Sequence, residues 1–182
     1  MDNRNDFLIL DDDEKIVYTY KPNKTRIWFS NLLWSIVFAL INIGIGLMFV
    51  FIPGEDGTKP PFEVFYIFLA ISLVVVVLTI IFTSMYYKKR VYAVTNKRVI
   101  IRGGVIGVDY KSLDLKMIGA LNVYVDFIDK VLRQDTGTLR FGSMASPLGS
   151  NQSPFSFKGI KRPYEVYKEI RVHMDKVLSE EQ

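Results

Sequence analysis

A chain of 182 residues with no cysteine and a single histidine has few groups with which to do chemistry. No disulfide framework, thiolate metal site or cysteine nucleophile is available to it. His173 is a lone imidazole and lacks the convergent donors a metal site needs, so it reads as a boundary or solvent-facing side chain. Asp11-Asp12-Asp13-Glu14 concentrates carboxylates, but consecutive ligands do not converge on a hard cation as spaced loop ligands do; the run reads as a solvated acidic turn. Gly103-Gly104 is a turn and not a phosphate loop, since no Gly-Lys-Ser/Thr comes after it. Ser143, Ser146, Ser150 and Ser153 share a loop with no base near them in sequence. These groups point to no catalytic residue, metal or cofactor. What remains is a set of cations: Lys88, Lys89 and Arg90, then Lys97 and Arg98. Their chemistry is attraction of anions, roughly 1 kcal/mol each beside an anionic leaflet. The plain reading is that 88–90 set membrane topology and that 97–98 form an exposed turn.

The elements around these cations divide the chain sharply. From Ile27 to Gly54 and from Val64 to Tyr87 there is no Asp, Glu, Lys, Arg or His, although the whole chain carries a net charge of +4 and a mean hydropathy of only +0.19. A hydrocarbon core of ~30 Å needs about 20 apolar helical residues, and both runs exceed that. They predict spans over about 28–52 and 62–87, within a hairpin over 27–87. The turn-rich link 53–61 is too short for anything but an antiparallel return. Lys21, Lys24 and Arg26 flank one side and Lys88, Lys89 and Arg90 the other, with only Lys59 between. Both termini are therefore expected in the cytoplasm and the link outside. Ser35, Ala39, Asn42 and Gly46 make a small or polar stripe on the first run, and Ser72, Thr79 and Thr83 one on the second. Such stripes let helix backbones approach, and Asn42 can hydrogen-bond across the pair. A transport path would show intramembrane ionisable groups, and there are none.

Residues 88–182 change texture. Val91–Val94, Arg98–Arg102 and Val105–Val108 read as strands, with turns at Thr95-Asn96-Lys97 and Gly103-Gly104. Leu121, Val123, Val125 and Phe127 alternate with polar residues, as on a half-buried strand, and further short strands lie at 138–141 and 155–157. Pro163 suits a first helical position, and Val166, Tyr167, Ile170, Met174 and Val177 recur at 3.6 spacing. In the arm 1–26, Ile16–Tyr20 reads as a strand and Phe7–Leu10 as an apolar patch that needs cover, on this domain or on a partner.

The run from Tyr92 to Gly104, YAVTNKRVIIRGG, resembles the opening of the bacterial pleckstrin-homology-like domain of small membrane-anchored proteins. Gly137-Thr138-Leu139, Phe157-Lys158-Gly159-Ile160, Pro163-Tyr164-Glu165-Val166 and the upstream Lys15-Ile16-Val17-Tyr18 are similar to that family as well. The resemblance implies an α+β architecture: a transmembrane two-helix hairpin, then a bent seven-stranded antiparallel sandwich or barrel over 88–182, closed by a C-terminal amphipathic helix. It implies no chemistry, because this fold hosts differing binding and scaffolding functions. In lipid-binding members of the wider superfamily, basic residues of the first hairpin grip phosphorylated headgroups.

The resulting expectation is a non-enzymatic, multi-pass module of a bacterial cytoplasmic membrane. It would mediate protein interaction, with a partner or with its own copies, or scaffolding at the inner face. The alternative is recognition of anionic lipid headgroups by Lys88, Lys89, Arg90, Lys97 and Arg98. Neither a recognition helix nor interleaved aromatic repeats point to nucleic acid.

Overall fold

A computed structural model describes residue 7 and residues 9–51, 62–143 and 154–179. The expected outside link 53–61 and the loop positions of Ser146, Ser150 and Ser153 lie outside the described residues. The chain forms two compact units, Ile27–Met85 and a second that joins Met1–Arg26 to Tyr86–Gln182.

The first unit is built from α1 (Lys24–Phe51) and α2 (Glu63–Lys89). At ~1.5 Å rise per residue, either is long enough to cross a bilayer core. Their surfaces are inverted relative to a soluble helix. Only Ile27, Ser35 and Gly46 of α1 and Ser72 and Thr83 of α2 are buried, while Trp34, Leu40, Phe51, Tyr66 and Leu73 lie exposed. Small and polar residues inside with apolar residues outside suit an apolar solvent, where close packing and not hydrophobicity joins helices. A Cβ on Gly46 would lie 2.9 Å from Phe68 Cβ, so only glycine permits that approach. Ser35, Ser72 and Thr79 donate to backbone carbonyls one turn back, and so bring no bare hydroxyl into the apolar region. The cross-helix bond anticipated at Asn42 is made nearer the start of α1: Asn31 Nδ2 donates to Thr83 Oγ1 at 3.0 Å.

The second unit contains two antiparallel sheets. The first has the order β1-β2-β3-β4, from β1 (Ile16–Tyr20), β2 (Val91–Thr95), β3 (Arg98–Gly103) and β4 (Asp109–Asp114). The second has β5 (Ile118–Tyr124), β6 (Thr136–Ser143) and β7 (Ser156–Lys161) in that order. Helices α3 (Phe127–Leu132) and α4 (Pro163–Ser179) complete it. The first strand of the sandwich thus comes from before the apolar runs, pairing Ile16 with Thr95 and Tyr20 with Tyr92. The sheets form an open sandwich and do not close into a barrel.

Period-2 alternation explains the core. Tyr92, Val94, Val99, Ile101 and Leu113 point inward from the first sheet and Leu139, Phe141, Phe157 and Ile160 from the second, with Val166 and Ile170 of α4 against them. Tyr92 stacks on Phe157 at 4.5 Å between centroids, and its hydroxyl donates to Lys158 O at 3.1 Å. The opposite face of β2 and β3, with Val91, Ala93 and Ile100, is covered by Phe7, with Ile9 and Leu10 beside it. That is why every residue of β2 is buried, and it places these arm residues on the chain's own sheet.

Two local expectations need correction. Val105–Val108 is the turn before β4 and not a strand: Gly104 adopts φ +116°, and a Cβ there would meet Gly107 O at 2.5 Å, so the backbone reverses and pairing resumes at Gly103–Asp109. Phe127 does not extend a strand. Asp126 accepts from Phe127 N while Asp129 reaches back to Asp126 N, a capping box that opens α3 and overrides the alternation.

Candidate anion-binding cleft

The five cations singled out from sequence have three different environments. Lys97 and Arg98 stand at the β2–β3 turn, where the N-terminal arm clamps them. Arg98 Nη2 lies 2.7 Å from Glu14 Oε2 and 3.2 Å from Asp11 Oδ2, its Nε donates to Glu14 Oε1 at 3.0 Å, and Lys97 Nζ meets Asp13 at 2.7 Å. The Glu14 side chain is fully buried and also accepts from Thr95 Oγ1 at 2.6 Å. Burial pushes its carboxyl up, but the hydrogen bonds from Arg98, Thr95 and Asp11 N together outweigh that and hold it below the usual value. Asp13 is lowered by its bond from Lys97. Asp11, Asp12 and Asp13 are exposed on a turn, as expected, but Glu14 is buried, and the run supplies the counter-charge of this hairpin because β1 pairing draws the arm alongside β2. His173 is satisfied nearby, its Nε2 lying 3.0 Å from Thr95 O and its ring edge-on to Tyr18.

Lys88 is exposed. Lys89 Nζ donates to the carbonyls of Val105 at 2.9 Å and Ile106 at 2.7 Å. Arg90 turns the other way, bonding the Tyr86 and Tyr92 hydroxyls with its guanidinium over the Tyr86 ring.

Arg90 enters an open cleft of about 670 Å³ whose other cations are Arg26, Lys111, Arg140 and Lys158. Each arrives from a different element. Arg26 lies in the first turn of α1 and is held by buried Asp129 at 3.0 Å, with Asp126 at 3.6 Å. Its stem crosses Gly159, whose φ of +66° and lack of Cβ leave the room. Lys111 is on β4, Arg140 on β6 and Lys158 on β7. Arg140 lies over the Tyr124 ring, 4.3 Å from its centroid. Thr138 and Ser156 add hydroxyls, and Asp126 is the one carboxylate in the described lining. With Arg26 paired to Asp126 and Asp129, the charges of Arg90, Lys111, Arg140 and Lys158 leave the cleft with an excess of positive charge. Burial, and after it the fields of Arg90, Arg140, Arg26 and Lys111, lower the Lys158 pKa below its ordinary value. Guanidinium forks held by aromatic rings and carboxylates, with hydroxyl donors between them, match the oxygens of a phosphate or carboxylate group.

Of the five residues chosen from sequence, only Arg90 lines this cleft. The other four lining cations span positions 26 to 158, and no spacing rule links them. The available signal was local: Arg140 between Leu139 and Phe141, and Lys158 after Phe157, are charges inserted into core strands.

A family model described as bacterial PH domain matches residues 36–173. No curated protein and no solved structure matches the chain. The match covers well over half of the sequence and agrees with the antiparallel sandwich and its C-terminal helix; the chain belongs to the bacterial PH domain family.

Proposed function

We propose that this PH-like module is a non-enzymatic receptor for an anionic group, held at the inner face of a bacterial cytoplasmic membrane by its two apolar helices. The observation that carries this reading is the cleft's excess of positive charge: beside Arg26, which Asp126 and Asp129 pair, stand Arg90, Lys111, Arg140 and Lys158. A cluster of like charges raises the energy of the empty site and lowers it on binding an anion. Arg26 immediately precedes the first apolar run and Arg90 comes three residues after the end of the second, so chain connectivity keeps the cleft close to a lipid surface. Phosphate chemistry is shared by lipid headgroups and soluble phosphates.

The test uses the full chain in neutral detergent, titrated calorimetrically in separate arms with short-chain phosphatidylglycerol and with inorganic pyrophosphate. Saturable binding is expected in at least one arm, weakened about tenfold by Arg140→Gln or Lys158→Gln, as loss of one charge-assisted hydrogen bond implies. Lys97→Gln should leave it unchanged. Loss with Lys97→Gln and not with the cleft variants would return the site to the first hairpin turn, and no binding in either arm would refute the anion reading.

A second reading, docking of a protein or of a second copy, draws on Phe127 and Val131, which lie one turn apart and exposed on α3. It predicts a stoichiometric crosslinked species from gently solubilised membranes that is lost in Phe127→Ser.

A further inference from the structure

The turn between β3 and β4, Gly104 to Val108, carries no polar side chain, and its tip is held out in solvent: Ile106 is 85% exposed and Val108 44%. An unpartnered isoleucine on a hairpin tip has no role in the core of its own unit. The loop is nonetheless fixed in place. Lys89, the last residue of α2, donates from Nζ to the carbonyls of Val105, Ile106 and Gly107, at 2.9, 2.7 and 3.4 Å. One ammonium thus satisfies three consecutive loop carbonyls that would otherwise demand water. Lys89 also lies two residues beyond the apolar run Val64–Tyr87. The clasp therefore ties the loop tip to the point where the chain leaves its second apolar segment.

From this geometry we infer that the Val105–Val108 loop is a wedge that enters the lipid interface, with Ile106 as its leading side chain. The occupant of this apolar tip is the bilayer itself. Carbonyls can approach hydrocarbon only when they are hydrogen-bonded internally, and Lys89 supplies those bonds. An apolar tip clasped by a cation, here Lys89 with Lys88 beside it in sequence, is the composition that gains from both the acyl boundary and an anionic surface. The wedge would set the orientation of the β module against the leaflet. The inference rests on the membrane-anchor reading of the two helices, and its test separates the two.

Because the natural chain has no cysteine, single-cysteine variants Ile106→Cys, Val172→Cys and Leu73→Cys of the full protein can each carry one environment-sensitive fluorophore. Reconstituted in phosphatidylcholine–phosphatidylglycerol vesicles, they are compared for quenching by lipids bearing a nitroxide near the headgroup or deep in the acyl chain, and by aqueous iodide. Position 73 should respond to the deep nitroxide, which checks the anchor alone. Position 106 should be quenched several-fold more by the shallow nitroxide than position 172, an exposed apolar residue of α4. Adding Lys89→Gln should reduce that difference. Iodide quenching at 106 equal to that at 172 overturns the wedge. Shielding of 106 from both iodide and nitroxide also overturns it and points to a protein contact. No quenching at 73 defeats the anchor instead. Ile106 buries almost nothing, so its substitution leaves the fold intact, and a melting temperature equal to the parent's verifies this.

Discussion

The β module holds two clusters of positive charge, one at each end of the β2 strand, and they have opposite fates. At the Thr95–Arg98 turn, Lys97 and Arg98 meet Asp11, Asp13 and Glu14 from the N-terminal arm, and the pair Arg98–Glu14 is closed by three hydrogen bonds. At the other end, Arg90 joins Arg26, Lys111, Arg140 and Lys158 with one lining carboxylate between them. The first cluster is structural, its charge committed to holding an arm to a sheet. The second carries an excess of positive charge, which on the proposed function is open to an anion. A count of lysines and arginines does not distinguish them; the location of the acids does.

The strongest way to break this comparison is to remove an acid from the first cluster. Glu14→Ala leaves Arg98 without its buried partner and should cost about 3 kcal/mol, read by chemical denaturation in detergent. Replacing both, Glu14→Leu with Arg98→Met, should recover most of the loss, since an apolar pair of similar volume tolerates the site. If the single and double variants unfold alike, the pair is not the element that holds the arm.

In the second cluster, removing charge should act with the opposite sign. Lys158→Met relieves repulsion, so the melting temperature should hold or rise while anion affinity falls about tenfold. A clear fall in melting temperature would mean that Lys158 is structural after all.

Acidity separates the two further. The folded-state pKa of Glu14 is lowered below 4.5, so its contribution is present above that value and is lost as pH falls through 4.5 toward the folded pKa. Lys158 is a base with a lowered pKa: the unfolded chain binds its proton more tightly, so stability rises with pH in the window below 10.5. Denaturation midpoints across pH should show an acid limb that shrinks in Glu14→Gln and an alkaline rise that shrinks in Lys158→Met. Saturating anion should flatten only the second.

The smallest expected effect is at the exposed pair Lys97–Asp13. Lys97→Ala should change stability by less than ~0.5 kcal/mol, measured by the same denaturation. A larger loss would show that the clamp extends beyond Glu14.

Much of the architecture was legible because it reflects local periodicity. Ile16–Tyr20, β2, β3 and α4 are recognisable from alternation and 3.6 spacing, and the small-residue stripe through Ser35 and Gly46 is the face that α1 buries. Errors fell where one local signal masked another. Val105–Val108 is rich in β-branched residues, but Gly104 with its positive φ turns the chain just before it. Phe127 continued an alternation that the Asp126–Asp129 capping box ends. The box is carried in sequence by Asp126-Phe127-Ile128-Asp129, within the same residues that continue the apolar alternation.

The sequence by itself determined the two apolar helices, the strand-rich character of residues 88–182, and the supply of positive charge, since each is a property of neighbouring residues. Tertiary structure alone decided which charges remain available. β1 carries the acids of positions 11–14 to residues more than 80 positions later, and three strands, a helix start and the residue after α2 bring Arg26, Arg90, Lys111, Arg140 and Lys158 around one cleft. Electrostatic compensation is a matter of distance in space, screened over about 10 Å, and no one-dimensional spacing encodes it.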